Sequence, residues 1–325
     1  MGILVDIIAV LAGFGLLIWS ADHFVTGASA TARNLGVSPL IIGLTIVGFG
    51  TSAPEMLVST FAAIDGNAGL SIGNALGSNI TNITLILGAT ALFYPLSVHS
   101  GILRREYPLL LITTVIAALL LFFDNHLSRI DGIIMFSSLF LILFWMVRYT
   151  LKHRDHDPLE AEYEHEIPEH MPMKTAMAYL GAGLVVLLAS SKLLVWGATN
   201  IAVALGVSDL IIGLTVVAIG TSLPELAASV MSAKKGEHDI AIGNVIGSNM
   251  FNTLGVLAIP GLIAPGLLPE GVLERDLPLV IILTVLLFVL SFGFTGPGRI
   301  NRLEGGFFLG LFVVYEIVLY FSATS

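Results

Sequence analysis

The chain contains no cysteine, which excludes disulfides and thiolate metal sites and leaves redox compartment unaddressed. Charge is scarce as well: 11% of the 325 residues are charged, whereas soluble globular domains carry about 25%. With 56% hydrophobic residues, such a chain cannot cover a water-facing surface. No basic n-region precedes the first apolar run, because the first Lys or Arg is Arg33, so that run is expected to stay as a helix rather than be cleaved. The formal charge of −9 says little about partners, since much of the acid sits between Asp155 and Glu169, and nucleic acid is not an expected ligand. The sequence also lacks a nucleophile elbow, a His-Glu-x-x-His motif and any other water-activating pattern, which argues against an intramembrane enzyme.

What the chain has is apolar length. A bilayer-spanning helix needs about 20 apolar residues, and turn signals and charges mark off about ten such segments. They run over Ile3 to Thr31, Pro39 to Ile64, Leu70 to Phe93, Tyr107 to Phe123, Ile130 to Tyr149, Met173 to Ala204, Leu210 to Ala233, Ile240 to Ile263, Leu277 to Phe294 and Leu303 to Phe321. The expectation is an all-α integral membrane protein with the lipid bilayer as its solvent. Arg33, Arg104, Arg105, Arg148, Lys152, Arg154, Lys174, Lys234, Lys235, Arg299 and Arg302 fall on one face of this arrangement, and only Arg129 and Arg275 on the other. Basic residues favour the cytoplasmic side. Both termini are therefore expected outside, with the polar Lys152 to Pro172 segment inside, in a plasma or inner membrane.

Shifting the chain by 170 positions aligns it with itself, and roughly half the positions between Leu35 and Asn82 then match. Gly36 to Glu55 meets Gly206 to Glu225, and Ile72 to Asn82 meets Ile242 to Asn252; Gly27 meets Gly197 in a weaker extension. The division that follows is a first half over 1–150, a linker over 151–172 and a second half over 173–325. Five helices per half is an odd number, so the second copy enters the membrane from the opposite side. Inverted repeats of this kind build secondary transporters, with sites near the midplane where the repeats meet. The best-matched positions are Gly, Thr, Ser, Asn, Pro and Glu rather than the Leu and Val that packing alone asks for.

Each copy carries Gly-Thr-Ser-x-Pro-Glu, at Gly50 to Glu55 and Gly220 to Glu225. Proline has no N–H to give, so Pro54 frees the Gly50 carbonyl and is expected to bend the helix there. Irregular backbone at membrane depth is tolerated only inside protein or along a wet cavity. Thr51 and Glu55 share a helical face with Ser52 and Ser59 nearby, and Thr221, Ser222, Glu225 and Ser229 repeat the pattern. Asn74, Ser78 and Asn82, like Asn244, Ser248 and Asn252, form polar stripes that read either as ligands or as interhelical hydrogen bonds. Gly73, Gly77, Gly243 and Gly247 beside them are expected to permit close helix approach. The glutamates are harder to place as structural residues: a charge at the bilayer centre costs at least about 2.5–3.5 kcal/mol. Either they are protonated or a cation sits between them, and an all-oxygen set without imidazole or thiolate suits calcium and sodium.

These doubled motifs, with the two Gly-Ser-Asn-x-x-Asn segments, resemble the α-repeats of sodium/calcium exchangers in the calcium:cation antiporter superfamily, particularly short prokaryotic members. The resemblance covers nearly the whole chain. It implies a ten-helix fold of inverted five-helix repeats, alternating access, calcium and sodium as transported ions, and no cofactor. It also implies ligands at Thr51, Ser52, Glu55, Ser78, Asn82, Thr221, Ser222, Glu225, Ser248 and Asn252, with backbone carbonyls near Gly48 and Ala218. Some relatives carry an aspartate where Asn252 stands; here only two carboxylates occupy the centre. The first and sixth helices would be the moving parts.

A calcium/proton antiporter remains open, because a buried glutamate can trade its cation for a proton, as does a passive cation channel. Asp22 and Lys192 occupy equivalent places on the first and sixth helices and read as solvent-reaching side chains or as a gate contact. His153, His156, His165 and His170 lie among acids in the linker, a composition that fits a solvated connector or a regulatory metal site. Arg104-Arg105-Glu106 and Glu274-Arg275-Asp276 read as interfacial anchors.

Overall fold

The computed structural model describes residues 3–37, 39–98, 106–123, 125–152, 171–205, 218–292 and 298–324. This part is helical; two antiparallel pairs of two-residue strands are the departures from an all-α reading. Six stretches among the described residues are long and apolar enough to cross a membrane: Ile3–Leu35, Ala68–Phe93, Arg129–Met146, Met173–Ile201, His238–Ile263 and Arg302–Phe321. Tyr107–Phe122 and Leu277–Ser291 are apolar but run only 16 and 15 residues. The start of the expected seventh span and the four histidines of the linker lie outside the described residues, as do Arg104 and Arg105.

Where the sequence predicts a bend, the backbone stops and restarts. Ser52 leaves helical geometry (φ −80°, ψ 2°), and a new helix, Ala53–Ile64, begins with Pro54 in its first turn. Ser222 does the same (φ −91°, ψ 5°) ahead of Leu223–Lys234. A proline costs nothing in a first turn, where its missing N–H has no helical partner to lose. In the second half the Gly220 carbonyl accepts a hydrogen bond from the Ser191 hydroxyl at 2.9 Å.

The two long helices, Ile3–Leu35 and Met173–Ala204, cross at glycines. A methyl group on Gly13 would lie 3.0 Å from the Leu194 nitrogen, one on Gly183 2.7 Å from that of Phe24, and one on Gly197 2.8 Å from the Asp6 oxygen. Gly27 lies as tightly against Leu180. These contacts pair up across the repeat, Gly13 with Gly183 and Gly27 with Gly197. Asn200 Nδ2 donates to Asp6 Oδ1 at 2.8 Å and ties the pair at one end.

The halves interlock. Gly132 of Arg129–Lys152 packs on the second half's Ala258–Ile263 helix, with the Ala258 oxygen 3.0 Å from the Cβ position. Gly305 of Arg302–Thr324 packs likewise on the first half's Gly88–Phe93, with the Gly88 oxygen at 2.8 Å. Leu96–Ser97 pairs with Arg299–Ile300 and His126–Leu127 with Gly266–Leu267, each pair joining the two halves.

The small-residue expectation holds for part of its set. An added Cβ on Gly247 overlaps the Leu44 backbone, so glycine there lets His238–Phe251 lie against Gly43–Val47. Gly73 and Gly77 have no described atom within 4 Å of a Cβ position. The stretch that would meet Gly77 by repeat symmetry, around position 214, is outside the described residues. Overpacking costs about 1–3 kcal/mol, so Gly247→Val is expected to lower the thermal midpoint of the purified protein in detergent relative to the wild type.

Of the expected interfacial anchors, Glu274 is exposed and Arg275 half-buried, while the two other described members are buried. Glu106 and Asp276 are both shielded from solvent. Asp276 is held by Arg275 through bonds of 2.7 and 3.1 Å, which is how a carboxylate at a helix start can leave water.

Candidate cation site

The breaks at Ser52 and Ser222 set the site's geometry. Each restarted helix places its glutamate in the first turn, Glu55 and Glu225, where the helix N-terminus favours negative charge. Both are buried, each 1% exposed. Ser52 Oγ donates across the halves to Glu225 Oε1 at 3.4 Å.

Two asparagines brace these helix starts in the same way. Asn74 Nδ2 donates to the Glu55 carbonyl and to Ser59 Oγ, each at 2.9 Å. Asn244 Nδ2 donates to the Glu225 carbonyl at 3.1 Å and to Ser229 Oγ at 2.8 Å. These two residues are the interhelical hydrogen bonds that the polar stripes allowed for. Asn244 does more, since its Oδ1 accepts from Thr51 Oγ1 at 3.1 Å and so carries a link between the halves.

Gly48, Thr51 and Ser248 meet beside it. Ser248 Oγ lies 3.5 Å from both the Gly48 carbonyl and Thr51 Oγ1, and the Gly48 carbonyl also accepts from the Ser52 nitrogen at 3.1 Å. A Cβ on Gly48 would sit 3.1 Å from the Ser248 nitrogen, so the carbonyl reaches this position because the residue is small. Ser78 is buried one turn before Asn82, and Ser222 is buried opposite Ser52 in the repeat. Thr221 is half-buried. Ala218 opens the short Ala218–Thr221 helix, and its preceding neighbours are outside the described residues.

Asn82 and Asn252 each begin a π-helical stretch, Asn82–Leu87 and Asn252–Val256. Such wide turns concentrate at functional sites, and nothing in the sequence reading anticipated them. The residues that sequence reasoning passed over lie here. Asn82 Nδ2 donates to Asn249 Oδ1 at 3.0 Å, and Asn79 Nδ2 to Thr253 Oγ1 at 2.9 Å, joining the halves again. The signal was present in the i, i+3 pairs Asn79/Asn82 and Asn249/Asn252 at matched repeat positions.

Among the described residues, four buried oxygens at matched positions have no hydrogen-bond partner, Glu55 Oε2 with Glu225 Oε2 and Asn82 Oδ1 with Asn252 Oδ1, and Ser222 Oγ lacks one as well. Buried polar atoms in native proteins are nearly always satisfied, and leaving one bare costs about 1–3 kcal/mol. None of the described ion pairs involves either glutamate. Two carboxylates, hydroxyls, amide oxygens and a carbonyl form a donor set for a hard cation, and calcium accepts 6 to 8 such oxygens in flexible geometry.

The family model described as sodium/calcium exchanger protein matches residues 5–148 and 175–321. CaxA of Alkalimonas amylolytica is 49% identical over 319 residues, covering 98% of this chain and 100% of that one. The inner membrane protein YrbG of Escherichia coli is 40% identical over 313 residues, 94% of this chain and 95% of its own length. A solved structure of the sodium-calcium exchanger NCX_Mj superposes with a TM-score of 0.84 at 32% identity, covering 98% of this chain and 100% of that one.

Proposed function

Because this chain belongs to the sodium/calcium exchanger protein family, whose members are membrane cation antiporters rather than enzymes, we propose that it exchanges sodium for calcium by alternating access at one central site. The observation that carries the proposal is the pair of buried glutamates, contributed by equivalent positions of the two halves, each with one carboxylate oxygen lacking a partner. The ligands are Thr51, Ser52, Glu55, Ser78, Asn82, Thr221, Ser222, Glu225, Ser248 and Asn252, with carbonyls near Gly48 and Ala218. Asn74 and Asn244 orient the set without entering it. Ten membrane segments in two inverted halves, 1–150 and 173–325 joined by 151–172, would bring this site near the midplane, with both termini extracytoplasmic and the linker cytoplasmic. The inner-membrane relative in Escherichia coli supports the same membrane for a bacterial host.

Exchange follows from competition for the same charge. Calcium or sodium neutralises the two carboxylates, whereas a bare pair is expensive in low dielectric. The loaded protein can therefore reorient and the empty one resists. Two negative charges balance one calcium, so three sodium ions returning on the same site leave a net positive charge, and exchange is electrogenic.

Proteoliposomes loaded with sodium and diluted into sodium-free buffer at fixed pH should accumulate radioactive calcium, and an imposed membrane potential should shift that uptake. Uptake driven only by a proton gradient would instead identify a calcium/proton antiporter. Calcium entry that needs no counter-ion would identify a passive channel. A voltage-independent reversal would overturn the electrogenic stoichiometry.

A further inference from the structure

Repeat symmetry makes the two faces of the molecule comparable residue by residue, and the structure treats them differently. On one face the first long helix is tied to the turn that follows Leu223–Lys234. Asp22 Oδ1 and Lys235 Nζ form an ion pair at 2.8 Å, Lys235 Nζ also donates to Thr26 Oγ1 at 3.0 Å, and Ser29 Oγ donates to Glu237 Oε1 at 2.5 Å. The same helix covers Ala228 and Met231, 0% and 8% exposed, with Phe24, Val25 and Ala28 in one apolar cluster.

The equivalent residues of the other repeat are Lys192 and Asp65 for the ion pair, Thr199 and Asn67 for the hydroxyl contact, and Val58 and Phe61 for the covered surface. The turns themselves correspond: Gly66 and Gly236 both adopt left-handed backbone, φ 78° and 82°. The contacts are nonetheless unmade. Among the described residues no ion pair joins Lys192 to Asp65, and both are exposed. Asn67 Oδ1 accepts from the Leu70 nitrogen of its own helix. Phe61 is 62% exposed and Val58 half-buried.

We propose that Asp65 and Lys192 are the second of two charge-reversed latches, closing the face that stands open here when the Asp22–Lys235 latch on the opposite face releases. The chemistry of the pair survives the repeat although both identities are exchanged: acid on the long helix and base on the turn in one, base on the long helix and acid on the turn in the other. The hydroxyl contact is preserved in kind, Ser29 with Glu237 against Thr199 with Asn67. In a protein built of inverted repeats, the second access state arises when each half adopts the conformation of the other. A contact made by one half in this state is then owed by the other half in the next. Both pairs are partly exposed and individually weak, which suits a latch that opens in every cycle. The inference rests on the alternating-access reading above.

The chain has no cysteine, so an introduced pair supplies its only thiols. Asp22→Cys with Lys235→Cys, and separately Asp65→Cys with Lys192→Cys, are treated with a short bifunctional thiol reagent at varied sodium and calcium. Cross-linking of the two pairs should move in opposite directions as the ions change. Parallel movement, or no cross-linking of the 65/192 pair under any ion condition, overturns the proposal. In flux assays Asp65→Lys, which sets two cations face to face, should slow exchange by about threefold to tenfold, and Lys192→Asp added to it should restore the rate to within about twofold. A double variant as slow as the single overturns the latch. Wild-type flux run beside these variants separates the two ideas: its absence defeats sodium/calcium exchange, while reciprocal cross-linking still reports the two latches.

Discussion

Glu55→Gln and Glu225→Gln should each abolish sodium-driven calcium uptake while leaving the protein folded. Glutamine keeps the shape of the side chain and loses its charge. The bound ion then faces one carboxylate in place of two, in a site that bulk water does not reach. Removing one partner from a buried charge pair costs about 3–5 kcal/mol, a loss of at least about 100-fold in affinity. Folding is not threatened by the same change, because an isolated intramembrane charge is itself costly, about 2.5–3.5 kcal/mol or more. Thermal unfolding separates the two effects. In calcium-free buffer each variant should melt at or above the wild-type temperature, and the upward shift that calcium gives the wild type should vanish. Wild-type uptake in either variant would refute the assigned site.

Asn244→Leu should have the next largest effect, although Asn244 is not assigned as a ligand. Its amide nitrogen bonds the Glu225 carbonyl and Ser229, and its oxygen accepts from Thr51. Leucine removes all three bonds at once and leaves the backbone at Glu225 free to drift within the first turn that aims its carboxylate. Residues that orient metal ligands from outside the ligand shell typically contribute about 10–100-fold in metal affinity. Half-saturating calcium for uptake should rise by that factor. Asn74→Leu breaks the equivalent bonds to the Glu55 carbonyl and Ser59 but is described with no cross-half contact, so its effect should be smaller. Equal effects of the two substitutions would remove the special role given to the Thr51–Asn244 link, and an unchanged calcium dependence in Asn244→Leu would remove the bracing role.

The latches illustrate how far equivalence in sequence can diverge in structure. Asp22 and Lys192 occupy matched positions, and from sequence either could reach solvent or meet a gate. Asp22 is bound to Lys235, while Lys192 stays exposed. The difference follows from the long helices leaning on one broken helix more than on the other, which no alignment of the repeats reveals.

Several features were settled by local chemistry that a linear reading can follow. Scarcity of charge and long apolar runs demand a membrane; the repeat is matched at Gly, Thr, Ser, Asn, Pro and Glu rather than at packing residues; proline after Thr-Ser interrupts a helix unless it falls in a first turn. Other features depend on what lies opposite each residue in three dimensions. Pro54 and Pro224 sit in the first turn of a restarted helix, so the chain breaks at Ser52 and Ser222 instead of bending. Asn74 and Asn244 became braces because Ser59 and Ser229 stand within reach of their amides, whereas Asn82 and Asn252 begin π-turns and keep an oxygen free. Glu106 and Asp276 look like interfacial charges in sequence and are buried. Composition and spacing report what a residue can do; which of its atoms remain available is decided by long-range packing between two halves more than 100 positions apart, where hydrogen bonds from one half to the other fix which polar atoms are already paired.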